Sequence, residues 1–332
     1  MITRAAYIES NQTYPYKNLA MEEYLLDHVE KNQVILYLWQ NRQTVVIGKN
    51  QNAWKECKTS ELNNDGGYLV RRLSGGGAVY HDLGNLNFTF LVSKEDYDLE
   101  KQMEVILVAV QKLGLNAVKS GRNDITIDGK KFSGNAFFER GGKSYHHGTL
   151  MVNVVMEDLQ KYLNVDREKL KSKAVDSVRA RVANLSEFYP GITISLLKEK
   201  LLEAFTQVYG VIPELWNSNV LPREEIELGE RRFSSWDFIF GRKIQFQYEI
   251  SRRFGWGDIC MKLNVEGGII KDVVIYSDAM NQSPIEAIPQ VIIGVEFNKS
   301  HVVSAMEKIQ YNGLNEQEMM KDIKELIDSQ EF

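Results

Sequence analysis

Three glycines stand in a row at Gly75, Gly76 and Gly77, between Arg72 and Ser74 on one side and Ala78, Val79, Tyr80 and His81 on the other. Glycine loses more conformational freedom on folding than any other residue, so such a run is unfavourable unless the backbone must turn through positive φ or approach something closely. Backbone N–H groups gathered in this way bind anions, and a neighbouring guanidinium supplies a fork that fits phosphate or carboxylate. A flexible surface turn is the alternative reading. No Gly-Lys-Ser/Thr follows, so this is not a Walker A loop, and it holds no GxGxxG dinucleotide fingerprint.

A second group of residues gathers around Asp128-Gly129, a strong hairpin signal between two extended runs. With these two as the turn, Ile127 faces Lys130, Thr126 faces Lys131, Ile125 faces Phe132 and Asp124 faces Ser133. Side chains alternate across a strand, which puts Asp124, Thr126, Lys131 and Ser133 on one face and Ile125, Ile127 and Phe132 on the other. The first face then offers a carboxylate and an ammonium within reach of one ligand. Lys130 points the opposite way and reads as an ordinary surface lysine. Asp124 could pair with Lys131 or, because carboxylates serve magnesium-phosphate sites, help to hold a metal.

The histidines are ambiguous. If Gly141-Gly142 is a two-residue turn, His146 falls beside Phe137 on the Lys131 face and His147 falls on the Ala136 face; a three-residue loop reverses this. At least one of the two is expected to be structural, and a second reading of His81 is a residue that only fixes its loop. No HExxH pair exists, which excludes a zinc protease of that type. Cys57 and Cys260 lie far apart and outside any CxxC pattern, so they indicate neither a disulfide framework nor a zinc site.

The elements that must position these groups are legible from periodicity. Ala20, Met21, Tyr24, Leu25 and His28 make 17–30 an amphipathic helix, and 99–113 carries a second apolar stripe that stops at Gly114. Strands are expected at 34–39 and 44–48, joined as a hairpin by 40–43, and at 68–72 and 87–92. Leu197, Leu201, Ala204, Phe205 and Val208 mark a later helix. Residues 213–222 and the charged run 223–232 read as a connection to a small second domain. That domain has strands at 243–253, 259–266 and 269–276, a Gly267-Gly268 turn and a closing helix around Met319–Ile327.

At 332 residues the chain is long enough for two cores, taking about 150 residues per domain as a guide. With 43% hydrophobic and 26% charged residues it has the composition of a globular protein. A net charge of -5 without a dense basic block speaks against nucleic-acid binding. No run reaches the about 18 apolar residues of a membrane helix, and the start lacks a signal peptide's apolar region, so a cytoplasmic location with no membrane association is expected.

Taken as an ordered set, the motifs Arg72-x-Ser74-Gly75-Gly76-Gly77-Ala78-Val79 with His81-Asp82 and Gly84-Asn85, Gly121-Arg122-Asn123-Asp124, Lys131-x-x-Gly134-x-Ala136, His146-His147-Gly148-Thr149-Leu150 and Ser177-Val178-Arg179-x-Arg181-Val182-x-Asn184-Leu185 resemble those of lipoate-protein ligases. The resemblance spans roughly 15–190, and Arg253-Phe254-Gly255-Trp256-Gly257 resembles the family's accessory domain more weakly. It implies a mixed α+β fold of the biotin/lipoate ligase type, with a catalytic domain over 1–240 and a small α+β accessory domain over 241–332. It also implies activation of lipoate by ATP, with Mg2+, to lipoyl-AMP. The acyl group would then pass to a lysine of a lipoyl carrier domain, on a 2-oxoacid dehydrogenase E2 subunit or the glycine cleavage H protein, in lipoate salvage by a monomer.

By the same resemblance, Lys131 touches both the lipoyl carboxyl and the α-phosphate and is the catalytic residue. Arg72, Gly77, Ala78, Val79, Tyr80, Asp124, Arg179 and Arg181 would serve the nucleotide or adenylate; Arg72, Ser74, Gly75, Gly76, His81, Lys131 and His147 would serve lipoate. The resemblance thus favours His147 over His146. A thioester-dependent lipoyl or octanoyl transferase would need a cysteine nucleophile, and Ser120-Gly121-Arg122 stands where one is expected. A biotin ligase would need a Gly-Arg-Gly-Arg loop, which is missing. A non-catalytic lipoate-binding or carrier-binding protein fits less well with Lys131 and Arg72 retained.

Overall fold

The computed structural model describes residues 1–121, 124–164, 182–241, 246–311 and 313–330. The chain divides into two compact units. Met1–Val46, Trp54–Arg72 and Ala78–Ile239 form the first, and Ile47–Ala53, Leu73–Gly77 and Phe240–Phe332 form the second.

The first unit holds strands β1 (Arg4–Glu9), β2 (Gln33–Trp39), β3 (Thr44–Ile47), β4 (Tyr68–Arg71), β5 (Val79–His81), β6 (Asn85–Ser93), β7 (Ala117–Ser120), β8 (Asp124–Ile127), β9 (Lys130–Arg140), β10 (Lys143–Met151) and β11 (Glu214–Asn217), with the last residue of β3 entering the second unit. Eight of them make a mixed sheet in the order β11-β1-β2-β6-β10-β9-β8-β7, and β4-β3-β5 make a small separate sheet. The alternation Leu86-Asn87-Phe88-Thr89-Phe90-Leu91-Val92 shows how β6 serves two environments at once. Leu86, Phe88, Phe90 and Val92 join Leu36, Leu38 and the stripes of helices Leu99–Gln111 and Ile194–Tyr209 in the main core. Asn87 and Thr89 point to the other face, where helix Pro15–His28 lies: Thr89 donates to Glu22 of that helix at 2.7 Å.

Two sequence expectations need correction here. Residues 34–48 are not a hairpin, because β2 pairs with β1 and β6 in the large sheet while β3 pairs with β5 in the small one. Both strands are buried on both faces, unlike a hairpin with one wet side, and Asn18 holds the connection by donating to Gln40 O at 2.8 Å and Asn41 Oδ1 at 2.9 Å. The charged run after 222 is a helix, Arg223–Phe233, that buries Ile226 and Phe233 and sets Arg232 against Glu23. Its sparse apolar residues hid that stripe. Likewise 214–217, read as connection, is strand β11, parallel to β1.

The second unit contains β12 (Tyr248–Phe254), β13 (Gly257–Glu266) and β14 (Ile269–Ser277) as an antiparallel sheet, with helices Ser283–Ile292, Lys299–Met306 and Leu314–Asp328 closing one core. Gly267 and Gly268 take φ 58° and 75°, as a tight turn of the expected kind requires. The expected start of the first strand, 243–245, lies outside the described residues. No helix among the described residues is long and apolar enough to cross a membrane.

Candidate active site

The site face is the side of the large sheet turned to helix Pro15–His28. Around Asp128-Gly129, with φ 49° and 77°, β8 and β9 pair as expected at Ile127↔Lys130 and Thr126↔Lys131. The next two expected pairs do not form. A β-bulge shifts the register to Ile125↔Ser133 and Asp124↔Gly134, leaving Phe132 as an extra residue that sinks into the core. Lys131 and Asp124 still share a face, with Nζ 2.6 Å from Oδ1.

The bulge also resolves the histidine ambiguity. β10 pairs with β9 at Lys143↔Arg140, His146↔Phe137 and His147↔Ala136, the register of a two-residue turn. The extra residue inverts parity beyond Phe132, so a two-residue turn does not carry His146 to the Lys131 face as regular alternation would have it, and the side favoured by the resemblance, that of His147, is the one observed. A Cβ built on Gly134 would meet Lys131 Nζ and, at 3.8 Å, Thr149 Oγ1, which places Gly134, Lys131 and Thr149 on one face. His147, two residues before Thr149, shares it. His146 turns into the core among Phe88, Phe90 and Phe137, and its Nε2 meets Asn135 Oδ1 at 2.8 Å. Burial, with smaller contributions from His147 and Lys119, pushes its pKa down to about 3.

On the site face the polar groups form a buried line. Trp39 Nε1 donates to Thr89 Oγ1 at 3.1 Å; Thr89 and His147 Nδ1 both donate to Glu22 Oε1, at 2.7 and 2.8 Å. Glu22 is 2% exposed and His147 7%. Arg72, just past β4, is buried and donates through Nη1 to Val46 O at 3.2 Å. Its pKa falls to about 10 through burial, opposed by Tyr145 and Glu22, so it remains a cation at neutral pH. His81 closes β5 and accepts from Asn41 Nδ2 at 3.3 Å through Nδ1, which leaves its proton on Nε2. Burial, then Arg72 and His147, push its pKa down to about 3 and keep it neutral. Among the described residues its Nε2 and Asn87 Nδ2 are buried without a hydrogen-bond partner.

Other sequence candidates occupy different surroundings. Ala78 and Val79 are half-buried, and Tyr80 is buried with its hydroxyl 3.4 Å from Asp158 Oδ2. Ser74, Gly75, Gly76 and Gly77 belong to the second unit. There the Gly76 N–H donates to Ala279 O at 3.2 Å, and a Cβ on Gly75 would lie 2.4 Å from Ala279 O and 2.7 Å from Met280 O. The close approach that these glycines permit is made here by protein carbonyls. Arg179 and Arg181 lie outside the described residues. Cys57 is buried, which pushes its thiol up to about 12, far from a ready nucleophile.

Sequence reasoning missed Glu22, Trp39 and Thr89. Asn18 and Glu22, four residues apart on an otherwise apolar helix face, were the available signal.

A mixed α+β fold that carries buried Arg72, His81 and His147 and, on the sheet face of His147, the Lys131–Asp124 pair offers cationic and hydrogen-bonding groups suited to an anionic ligand. Residues 14–206 match the lipoyl protein ligase A/B catalytic domain, and residues 243–327 match the bacterial lipoate protein ligase C-terminus. The chain is 40% identical over 310 residues to lipoate-protein ligase A of Psychrobacter cryohalolentis, covering 91% of each, and 41% identical over 297 residues to that of Blochmanniella pennsylvanica, covering 87% and 88%. Among solved structures it resembles P. falciparum LipL1 in complex with lipoate, with a TM-score of 0.85 and 31% identity over 97% of this chain and 99% of that one. A chain from the structural analysis of an archaeal lipoylation system, a bipartite lipoate protein ligase and its E2 lipoyl domain from Thermoplasma acidophilum, matches at TM-score 0.62 and 28% identity over 74% and 99%. A lipoate-protein ligase A bound with ATP matches at 0.61 and 26% over 73% and 99%. The chain belongs to the lipoate-protein ligase family and is a ligase.

Proposed function

We propose that this ligase activates lipoate with ATP as lipoyl-AMP and then transfers the lipoyl group to a lysine of lipoyl carrier domains, those of 2-oxoacid dehydrogenase E2 subunits and the glycine cleavage H protein. Residues 1–240 would carry the chemistry, with 241–332 as an accessory domain. The observation that carries this reading is the Lys131–Asp124 pair on the same sheet face as buried His147, which meets Glu22 of helix Pro15–His28. Relatives crystallised with lipoate and with ATP, and a structural analysis of a bipartite ligase and its E2 lipoyl domain, support it.

In the first step a carboxylate oxygen of lipoate attacks the α-phosphorus and the bond to pyrophosphate breaks. Negative charge grows on the phosphate oxygens, and an ammonium fixed beforehand stabilises it without the reorganisation that water would need. Lys131 fills that role, reaching both the carboxylate and the α-phosphate. Arg72, His81 and His147 hold the acid. In the second step the neutral amine of the carrier lysine attacks the acyl carbon, AMP leaves with the bonding electrons, and the amine's proton passes to solvent, leaving an amide.

No three His, Cys, Asp or Glu side chains converge as a metal site among the described residues. Magnesium with ATP fits a single carboxylate, because Mg2+ is commonly held by one or two carboxylates with substrate phosphates and water. Asp124 would supply it, and the ion would neutralise phosphate charge when bound.

A thioester-dependent transferase is the competing mechanism, and it needs a thiolate. The double variant Cys57→Ser, Cys260→Ser is expected to keep ATP-dependent lipoylation of an apo carrier domain, read as a mass gain on its lysine. A folded double variant that forms lipoyl-AMP yet leaves the carrier unmodified would overturn direct transfer.

A further inference from the structure

We propose that Gly134 is a positioning residue for Lys131, the seat across which the ammonium lies; this rests on the reading of Lys131 as the residue of adenylate formation. On an uninterrupted strand residues 131 and 134 would point to opposite faces. The bulge at Phe132 puts them on the same one, and the residue paired with Gly134 across the ladder is Asp124. Lys131 therefore folds back over residue 134 to reach that carboxylate at 2.6 Å.

The space it uses is the space of a missing side chain. A Cβ on residue 134 would stand 2.8 Å from Lys131 Nζ and 3.0 Å from Cε. Among the described residues, the chain neighbours of Gly134 aside, no other atom comes nearer than Thr149 Oγ1, at 3.8 Å, and Gly134 is not among the glycines with positive φ. Alanine is thus compatible with the backbone, and its clash falls wholly on the mobile end of Lys131. The strand stays while the ammonium moves.

The rest of the seat is fixed from two sides. Ala183 N donates to Lys131 O at 2.9 Å, which anchors the root of the side chain. The β9–β10 register runs only to Gly148↔Asn135, and one residue further the Gly134 N–H donates to Thr149 Oγ1 at 3.2 Å. A side-chain hydroxyl thus continues the β9–β10 contact one residue beyond the last pair of its ladder.

Misplacing a catalytic group by about 1 Å costs about a hundredfold in rate. Gly134→Ala should therefore melt close to the wild type yet lose about tenfold to a hundredfold in kcat of lipoate-dependent ATP–pyrophosphate exchange, with KM for ATP little changed. A second readout does not depend on activity: competitive acetylation of Lys131 against its neighbour Lys130, followed by mass spectrometry of the substrate-free protein. An amine freed from its carboxylate partner is acylated faster, so the Lys131/Lys130 ratio should rise about twofold or more in Gly134→Ala. An unchanged ratio overturns the seat whatever the activity does, and a raised ratio with unchanged kcat overturns the positioning role. Should Gly134→Ala fail to fold, Thr149→Val, which removes the acceptor of the Gly134 N–H, must raise the same ratio or the seat is equally overturned. Exchange retained in Lys131→Ala would be a separate failure, that of the catalytic reading beneath.

Discussion

Lys131 and Arg72 are both cations of the candidate site, and their surroundings give them different duties. Lys131 is partly exposed, with a quarter of its side chain open and Asp124 as its carboxylate partner among the described residues, so its removal leaves no buried group stranded there. Lys131→Ala should fold and melt like the wild type and lose at least about a hundredfold in adenylate formation, the usual cost of deleting a preorganised charge at the reacting centre. Arg72 is 6% exposed and shares its pocket with Glu22 and His81. Arg72→Ala should weaken acid or nucleotide binding less completely while costing about 1–3 kcal/mol of stability, because a buried carboxylate loses a compensating charge. Thermal melts and steady-state kinetics of the two variants separate these roles; equal losses of stability would count against the division. The pairing of Lys131 with Asp124 was legible from the Asp-Gly turn and the two-residue period of strands. Glu22 was not, because its partners Thr89 and His147 stand 67 and 125 residues away.

At the scale of elements, one inserted residue decides what faces what. Turn chemistry foretells the hairpin end at Asp128-Gly129 and leaves two loop lengths open at Gly141-Gly142, whereas the bulge between them carries no local signal: Phe132 faces the core in either register, and what the extra residue changes is the placement of Ser133 and Gly134. The supposed hairpin over 34–48 failed for a related reason: two buried strands can belong to different sheets, and periodicity does not say which. His146 gives β10 a pH-dependent cost. Its pKa in the fold lies near 3, as does that of His81, against an ordinary value of about 6.5. Between those values the unfolded chain takes up protons that the native state refuses, so stability is full above about pH 6.5 and falls with pH down to about 3. Each histidine contributes a slope of about 1.4 kcal/mol per pH unit across that window. His146→Gln, which can keep a bond to Asn135, should flatten the fall of the melting temperature between about pH 6 and 4. An identical pH profile in the variant would show that His146 does not titrate as argued.

For the whole molecule, the apolar stripes of 99–113 and the closing helix announced two separate cores, and each compact unit has one. What composition could not announce is that Ile47–Ala53 and Leu73–Gly77 cluster with the C-terminal residues, since short loops carry no label of the core they join. The claim that unites residue, element and molecule is that this ligase makes an acyl adenylate before any carrier is present. Incubating the purified full chain with ATP and labelled pyrophosphate, with and without lipoate, tests it most directly. Label should enter ATP only when lipoate is added, more slowly with octanoate and not with acetate, whose short chain leaves the buried face unfilled. Exchange that ignores lipoate, or none when lipoate and ATP are both supplied to folded protein, would contradict the account.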